Sequence, residues 1–190
     1  MAQILLSLHG FHSSPGSLKA KQMSSYLSEF FPDIQFICPQ LPSLPEQMWA
    51  MVESLFAQHK HDQIAVMGSS LGGYLAAKAA QQYCVNVVLI NPAVYPYHLL
   101  EAYAGRQVHP YTGDEYQIDQ HFMTQLKSLE VPLLSRPEKC WVLLQKEDEV
   151  LDYRQAFDKY KQCKISCEEG GNHSFAGFER YLPDIIKFLF

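Results

Sequence analysis

The sequence predicts an α/β protein built around a mainly parallel β-sheet. Short apolar segments alternate with amphipathic segments of helical length, a pattern typical of βαβ units. The apolar segments are rich in Ile, Val and Leu and barely alternate with polar residues, as expected of strands that are covered on both faces. The chain has 190 residues, of which 47% are hydrophobic and 18% charged, so we expect one globular domain spanning residues 1–190.

Six strands and five helices account for most of the chain. The predicted strands are residues 3–8, 34–38, 63–67, 86–90, 139–145 and 164–168. The predicted helices are residues 17–29, 44–58, 71–83, 153–161 and 175–189. We expect the last helix to break near Pro183, because a proline disfavours the helical conformation of the residue before it, here Leu182.

One long segment interrupts this alternation. Residues 92–137 contain no clear strand and are rich in Tyr, His, Pro and Gly. Loops of this length inside a domain usually form functional lids or carry helices of their own. Residues 98–103 and 119–129 show weak helical patterns, so we expect a small cap-like insertion over the edge of the sheet.

The composition argues against several classes of protein. A net charge of -5 without a basic stripe disfavours nucleic-acid binding. No apolar run approaches the roughly 20 residues that span a bilayer. The first residues lack the basic region of a signal peptide, so we expect a cytoplasmic protein. The five cysteines show no CxxC motif and no zinc-binding spacing, and no nucleotide-binding motif is present, so we expect no metal ion and no cofactor.

The segment after the third predicted strand matches a nucleophile elbow. Residues 68–72 read Gly-Ser-Ser-Leu-Gly, the G-x-S-x-G pattern, with an apolar strand before them and a small-residue helix after them. In such a turn the central serine, Ser70, presents its hydroxyl to solvent, and the glycines let strand and helix approach closely. We therefore predict Ser70 as a nucleophile. The alternative is a loop in which Ser69 or Ser70 only caps the helix.

The loop after the first strand is a candidate oxyanion loop. Residues 9–16 begin with His-Gly and continue with small polar residues, at the position where this type of fold supplies its second oxyanion donor. We expect the backbone N–H groups of Phe11 and Leu71 to be the two donors. His9 and His12 belong to the same loop and are candidate pocket residues. The alternative is an ordinary turn before a capped helix.

His173 is the candidate base among eight histidines. It lies in residues 170–175, Gly-Gly-Asn-His-Ser-Phe, which join the last predicted strand to the last helix. In the chain order Ser, Asp or Glu, His, the base belongs in this final loop. The alternative is a histidine that merely starts the helix.

The acid that orients this base should follow the preceding strand. Four carboxylates crowd there, at Glu147, Asp148, Glu149 and Asp152. Asp148, just after the strand end, is the preferred candidate. Asp152 is the second, although it is also well placed to cap the next helix. Glu147 and Glu149 are longer and are expected to face solvent.

These motifs resemble the YqiA-like family of small bacterial esterases in the α/β-hydrolase superfamily. The resemblance covers nearly the whole chain and is carried by residues 8–15, 68–74, 91–93, 148–153 and 168–173. It implies a Ser–Asp–His triad, here Ser70, Asp148 and His173, and esterase activity on acyl esters. In one departure, Glu147 stands where such families often carry a glycine.

The resemblance also refines the expected fold. The chain starts at the strand that precedes the His-Gly loop. The resemblance therefore implies a trimmed α/β-hydrolase fold with about six mainly parallel strands. Their expected order is 2-1-3-4-5-6, with helices on both faces and the small cap insertion. The order reverses between strands 1 and 3, and ligands of open α/β sheets bind at such a switch point.

We therefore predict a serine hydrolase that cleaves a small acyl ester or thioester through an acyl-enzyme intermediate. Aromatic residues of the insertion are candidates to roof an apolar pocket, namely Tyr95, Tyr97, Tyr103 and Phe122. Two alternatives remain open. One is an acyltransferase or peptidase on the same triad, and the other is a non-catalytic binding protein with a hydrolase fold. The sequence specifies neither the natural substrate nor an oligomeric state.

Overall fold

A six-stranded parallel sheet forms the centre of the computed structural model, which describes residues 1–190. Its strands are β1 (Gln3–Leu8), β2 (Ile34–Ile37), β3 (Gln63–Ser70), β4 (Val87–Pro92), β7 (Cys140–Gln145) and β8 (Lys164–Glu168). They are hydrogen-bonded in the order β2-β1-β3-β4-β7-β8. This confirms the predicted order, because the two strands that lie between β4 and β7 in the chain belong to the insertion and do not join this sheet.

Helices cover the sheet on both faces. They are α1 (Leu18–Phe30), α2 (Pro45–Gln58), α3 (Leu71–Tyr83), α4 (Pro96–Leu100), α5 (Gln120–Ser128), α6 (Tyr153–Lys159) and α7 (Leu182–Leu189). Neighbouring strand residues point to opposite faces: Leu5 belongs to the core cluster that includes residues of α1 and α7, whereas Leu6 belongs to the one that includes residues of α2, α3 and α5. This two-sided burial explains the continuous apolar strands. None of the helices is long and apolar enough to cross a membrane.

The last helix differs from its prediction. A short 3-10 turn, Phe178–Tyr181, precedes α7, and Phe175 has a left-handed φ of 61°, so no α-helix runs from residue 175. Leu182 is helical, with φ -53° and ψ -46°, although Pro183 follows it. The predicted helix is therefore interrupted next to Pro183, as expected, but the non-helical conformation expected of Leu182 is wrong. Pro183 lies in the first turn of α7, where the missing N–H of a proline removes no helical hydrogen bond.

The segment between β4 and β7 contains more regular structure than its sequence indicates. Besides α4, α5 and a 3-10 turn at Glu101–Tyr103, it forms an antiparallel hairpin of β5 (Gly105–Val108) and β6 (Glu115–Ile118). The expectation that it contains no strand is wrong. The two strands are short and mainly polar, and half of their residues are exposed, so they carry no apolar run that would signal a strand.

Candidate active site

Ser70 lies at a strained turn between β3 and α3. Its φ of 56° and ψ of -121° are rarely adopted by residues other than glycine. The flanking glycines are required by packing: a Cβ on Gly72 would lie 2.0 Å from the backbone oxygen of Leu8. A Cβ on Gly68 would lie 2.2 Å from the oxygen of Gly72. The geometry therefore matches the nucleophile elbow predicted from residues 68–72.

The structure brings Ser70, His173 and Asp148 together in one chain of hydrogen bonds. His173 Nε2 is 3.0 Å from Ser70 Oγ, and His173 Nδ1 is 2.8 Å and 2.9 Å from the two carboxylate oxygens of Asp148. Because a carboxylate only accepts, Nδ1 carries the ring proton and Nε2 is left to accept from the serine hydroxyl. This is the tautomer that lets the imidazole act as a base toward Ser70.

Asp148 and Asp152 have separate roles. The Asp148 side chain is only 2% exposed, and its Oδ1 also accepts the N–H groups of Val150 at 2.9 Å and Leu151 at 2.8 Å. Asp152 instead accepts the N–H of Arg154 at 3.0 Å and caps α6. Of the two candidates, only Asp148 contacts His173.

The loop that carries His173 is held by two buried amides whose roles the sequence did not indicate. Asn91 Nδ2 donates to the backbone oxygens of Asn172 at 3.0 Å and His173 at 3.2 Å, and its Oδ1 accepts the N–H of Gln145 at 3.0 Å. Gln145 Oε1 accepts the N–H groups of Asn172 and Ala176. The available signal was a polar amide at the end of an apolar strand, which must find hydrogen-bond partners when buried.

Glu149 adds a further contact to this loop. Its Oε2 accepts the backbone N–H of His173 at 2.8 Å, so it is more than the solvent-facing residue expected from the sequence. That hydrogen bond is the main reason why the pKa of the Glu149 carboxyl is lowered. His173 is thus held through its ring by Asp148 and through its backbone by Asn91 and Glu149.

The candidate oxyanion loop is anchored by His9. The buried His9 ring accepts the N–H of Leu41 at Nε2 with a distance of 3.0 Å. Its Nδ1 therefore carries the proton and donates to the oxygen of Gly10, also at 3.0 Å. Burial is the main cause of the lowered pKa of His9. Since both ring nitrogens are engaged, His9 shapes the loop beside Ser70.

Phe11 and Leu71, the two expected oxyanion donors, flank Ser70 in one cavity. Gly10 brings the loop close, because a Cβ there would lie 3.1 Å from the Cβ of Ser70. Leu71 is the first residue of α3, and N–H groups in a first helical turn have no partner within the helix. His12 follows Phe11 in the loop after β1, and the two rings stack with their centroids 3.9 Å apart.

The cavity beside Ser70 has a volume of about 240 Å³ and mainly apolar walls. We call it the apolar cavity; besides Ser70, His12 and His173, it is lined by Phe11, Leu71, Ala93, Pro96, Leu99, Leu100, Tyr103 and Val150. Five of these residues, from Ala93 to Tyr103, belong to the insertion. The insertion therefore forms one wall of the site.

The predicted aromatic roof is correct only in part. Tyr103 lines the apolar cavity, whereas Tyr95 lines an adjoining depression. Phe122 is 1% exposed and packs in the core against Tyr116, so its prediction as a pocket residue is wrong. Tyr97 is also buried, with its hydroxyl donating to Glu130 at 2.8 Å. The amphipathic α5 turns Phe122 toward the core, where the burial of a large apolar side chain is most favourable.

The parallel sheet, its strand order and the elbow at its centre together define an α/β-hydrolase fold. Solved structures of low sequence identity share it. A putative hydrolase from Agrobacterium vitis S4 matches with a TM-score of 0.77 and 15% identity, over 100% of this chain and 88% of that one. A metagenome-derived lipolytic enzyme of the LipS and LipT pair matches with a TM-score of 0.71 and 17% identity, over 99% and 94%.

The sequence comparisons identify the family. The family model described as "Uncharacterised protein family (UPF0227)" matches residues 4–190, and the chain belongs to this family. A relative from Salmonella gallinarum, UPF0227 protein YcfP, is 24% identical over 191 residues, which cover 97% of this chain and 98% of the relative. The family resemblance inferred from the sequence motifs is thus confirmed.

Proposed function

We propose that this chain is a serine hydrolase that cleaves acyl esters or thioesters, with Ser70 as nucleophile, His173 as general base and Asp148 as orienting acid. The observation that carries the proposal is the continuous hydrogen-bond chain from Ser70 Oγ through the imidazole to Asp148, beside an apolar cavity. A shared fold with a lipolytic enzyme supports the same reaction class.

In the first half of the proposed reaction, Ser70 Oγ forms a bond to the acyl carbon while His173 Nε2 takes the hydroxyl proton. The electron pair of the carbonyl double bond moves to its oxygen. The backbone N–H groups of Phe11 and Leu71 stabilise this oxyanion. When the carbonyl re-forms, the bond to the alcohol or thiol breaks and His173 donates its proton to the leaving group.

In the second half, water attacks the acyl-enzyme and His173 takes one of its protons. Collapse of the second tetrahedral intermediate breaks the bond to Ser70 Oγ, which recovers its proton from His173, and the carboxylic acid leaves. Asp148 keeps the Nδ1 proton in place in both halves. We also propose that the insertion, through Leu99, Leu100 and Tyr103, forms the wall against which an apolar substrate group packs.

The test is hydrolysis of p-nitrophenyl butyrate by wild type, Ser70→Ala and His173→Ala, together with labelling by a fluorophosphonate. We expect kcat/KM to fall by about 10³-fold or more in both variants, because members of a triad act as one unit. Labelling should disappear in Ser70→Ala. The matched controls are Ser54→Ala and His61→Ala, which lie outside the site.

Wild-type turnover in both Ser70→Ala and His173→Ala would contradict the proposal. So would a folded wild-type protein that neither turns over the ester nor reacts with the probe. Product analysis with added alcohol or amine acceptors separates hydrolysis from acyl transfer, because a transferase would form the new ester or amide.

A further inference from the structure

A second cavity adjoins Ser70 and differs in character from the apolar cavity. It has a volume of about 200 Å³ and also borders Ser70 and His173. Only two of its 11 lining residues are hydrophobic. Its polar lining includes Ser13, Ser17, Lys19 and Ser174. We call it the Lys19 cavity.

Lys19 is the charged group of this cavity and has no counterion within it. Its ammonium donates to the backbone oxygen of Ser174 at 2.9 Å, and it is absent from the seven salt bridges of the protein. Burial lowers the pKa of Lys19 to about 8, although the charge of Asp148 partly opposes this shift. A half-buried cation without a partnering anion is energetically costly.

The position of Lys19 in its helix adds to this cost. It is the second residue of α1, and a cation in the first turn of a helix is disfavoured by the helix dipole. Ser17, which precedes the helix, makes no side-chain capping bond, so its hydroxyl is not committed to the helix terminus. Both the burial of the ammonium and its position in the first turn of the helix disfavour a charged lysine here. A bound anion would offset both effects.

We propose that Lys19 selects substrates that carry an anionic group, a carboxylate or a phosphate. An apolar part of the substrate occupies the apolar cavity, the anionic part occupies the Lys19 cavity, and the scissile carbonyl lies between them at Ser70. The ammonium of Lys19 pairs with the anion, and the hydroxyls of Ser13 and Ser17 supply neutral donors. This inference rests on the proposed function of Ser70 as nucleophile.

The kinetic test compares matched pairs of substrates in wild type, Lys19→Met and Lys19→Arg. One pair places a carboxylate in the acyl part: p-nitrophenyl hemiglutarate and its methyl ester. The other places it in the leaving group: 4-(butyryloxy)benzoate and its methyl ester. The measured quantity is the ratio of kcat/KM for the anionic substrate to that for the neutral one. Lys21→Met is the control, since Lys21 is exposed on the same helix.

For at least one pair, we expect wild type to favour the anionic substrate, and Lys19→Met to lower the ratio tenfold or more through KM. Lys19→Arg should retain most of the preference, and Lys21→Met should keep the wild-type ratio. A purely structural role for Lys19, through Ser174 or Asp148, would instead lower kcat for both members of a pair and leave the ratio unchanged. An unchanged ratio in both pairs would overturn the proposal.

A binding experiment separates this inference from the proposed function. Monobutyl glutarate and butyl phosphate are titrated calorimetrically into Ser70→Ala and into the Ser70→Ala/Lys19→Met double variant. We expect at least one ligand to bind Ser70→Ala, and its Kd to rise tenfold or more in the double variant; which ligand binds more tightly distinguishes carboxylate from phosphate. Equal affinities, or no binding to Ser70→Ala, would overturn the role of Lys19. Binding that depends on Lys19 in a protein without any hydrolase activity would overturn only the function proposed for Ser70.

Discussion

Two regions of the molecule differ in burial. They are the loops at the carboxyl ends of the central strands and the hairpin of the insertion. Asn91 is 2% exposed and joins the His173 loop to β7, and the side chain of Asp148 is equally buried. In the hairpin, Val108 is 53% exposed and Tyr111 66%. The proposed catalytic groups thus depend on buried hydrogen bonds, whereas exposed positions of the hairpin can be substituted at small cost. The predictions below compare matched substitutions in the two regions.

The largest effect is expected for glycine replacements. Gly72→Ala introduces a Cβ that would lie 2.0 Å from a backbone oxygen of β1, which a flexible side chain cannot relieve. We expect a loss of about 3 kcal/mol or more in the free energy of unfolding, or failure to fold. Gly113→Ala in the hairpin meets open space and pays only for its left-handed φ of 76°, about 1 kcal/mol. Thermal unfolding of both variants measures the difference.

A Gly72→Ala protein with the melting temperature of wild type would show that α3 and β1 can separate without cost. The elbow would then be far more adaptable than its close packing indicates. Equal destabilisation by Gly113→Ala would instead show that the hairpin is as constrained as the sheet.

The second comparison uses two asparagines that both donate to backbone oxygens of the C-terminal segment. Asn91→Ala leaves the N–H of Gln145 and the oxygens of Asn172 and His173 without their partner. We expect a loss of about 2–3 kcal/mol in stability. We also expect kcat to fall about 10- to 100-fold, because a displaced base is costly even for small shifts.

Asn86→Ala is the matched control, since Asn86 makes one such bond, to Leu189 at 2.9 Å, away from the site. It should cost about 1 kcal/mol in stability and leave kcat unchanged. The readout is the ratio of kcat on p-nitrophenyl butyrate to that of wild type, measured below the melting temperature of each variant. If the two variants have the same kcat, Asn91 supports the fold without positioning His173.

The same division between regions explains what could be predicted from the sequence. The six sheet strands and the elbow at Ser70 follow from local patterns, because apolar runs and flanking glycines appear directly in the chain. The strand order was implied only by the family resemblance. The contacts of Asn91 and Lys19 cannot be predicted in this way, because each joins residues more than 50 positions apart, which no local pattern encodes. The hairpin was missed because β5 and β6 are polar and pair only with each other, so neither strand shows the apolar run of a strand in the central sheet. Phe122 was misassigned because aromatic content alone does not distinguish a core face from a pocket wall.

The smallest effect concerns the hydrogen bond between the hairpin and the candidate oxyanion loop. Tyr116 Oη on β6 lies 2.7 Å from His12 Nε2, and His12 follows Phe11, one of the two proposed oxyanion donors. Burial raises the pKa of Tyr116 to about 12 and lowers that of His12, so both groups are neutral near pH 7 and one of them donates a hydrogen bond to the other.

Tyr116→Phe removes this hydrogen bond and keeps the ring that packs on Phe122. The loss of one such bond is worth about 1 kcal/mol, so we expect kcat on p-nitrophenyl butyrate to fall about 3- to 10-fold with little change in KM. Tyr111→Phe, at an exposed hydroxyl of the same hairpin, should behave as wild type. If both variants retain wild-type kcat, the insertion contributes only a cavity wall. A selective loss in Tyr116→Phe means that the exposed hairpin also holds the oxyanion loop in its working position, and the two regions are then coupled through His12.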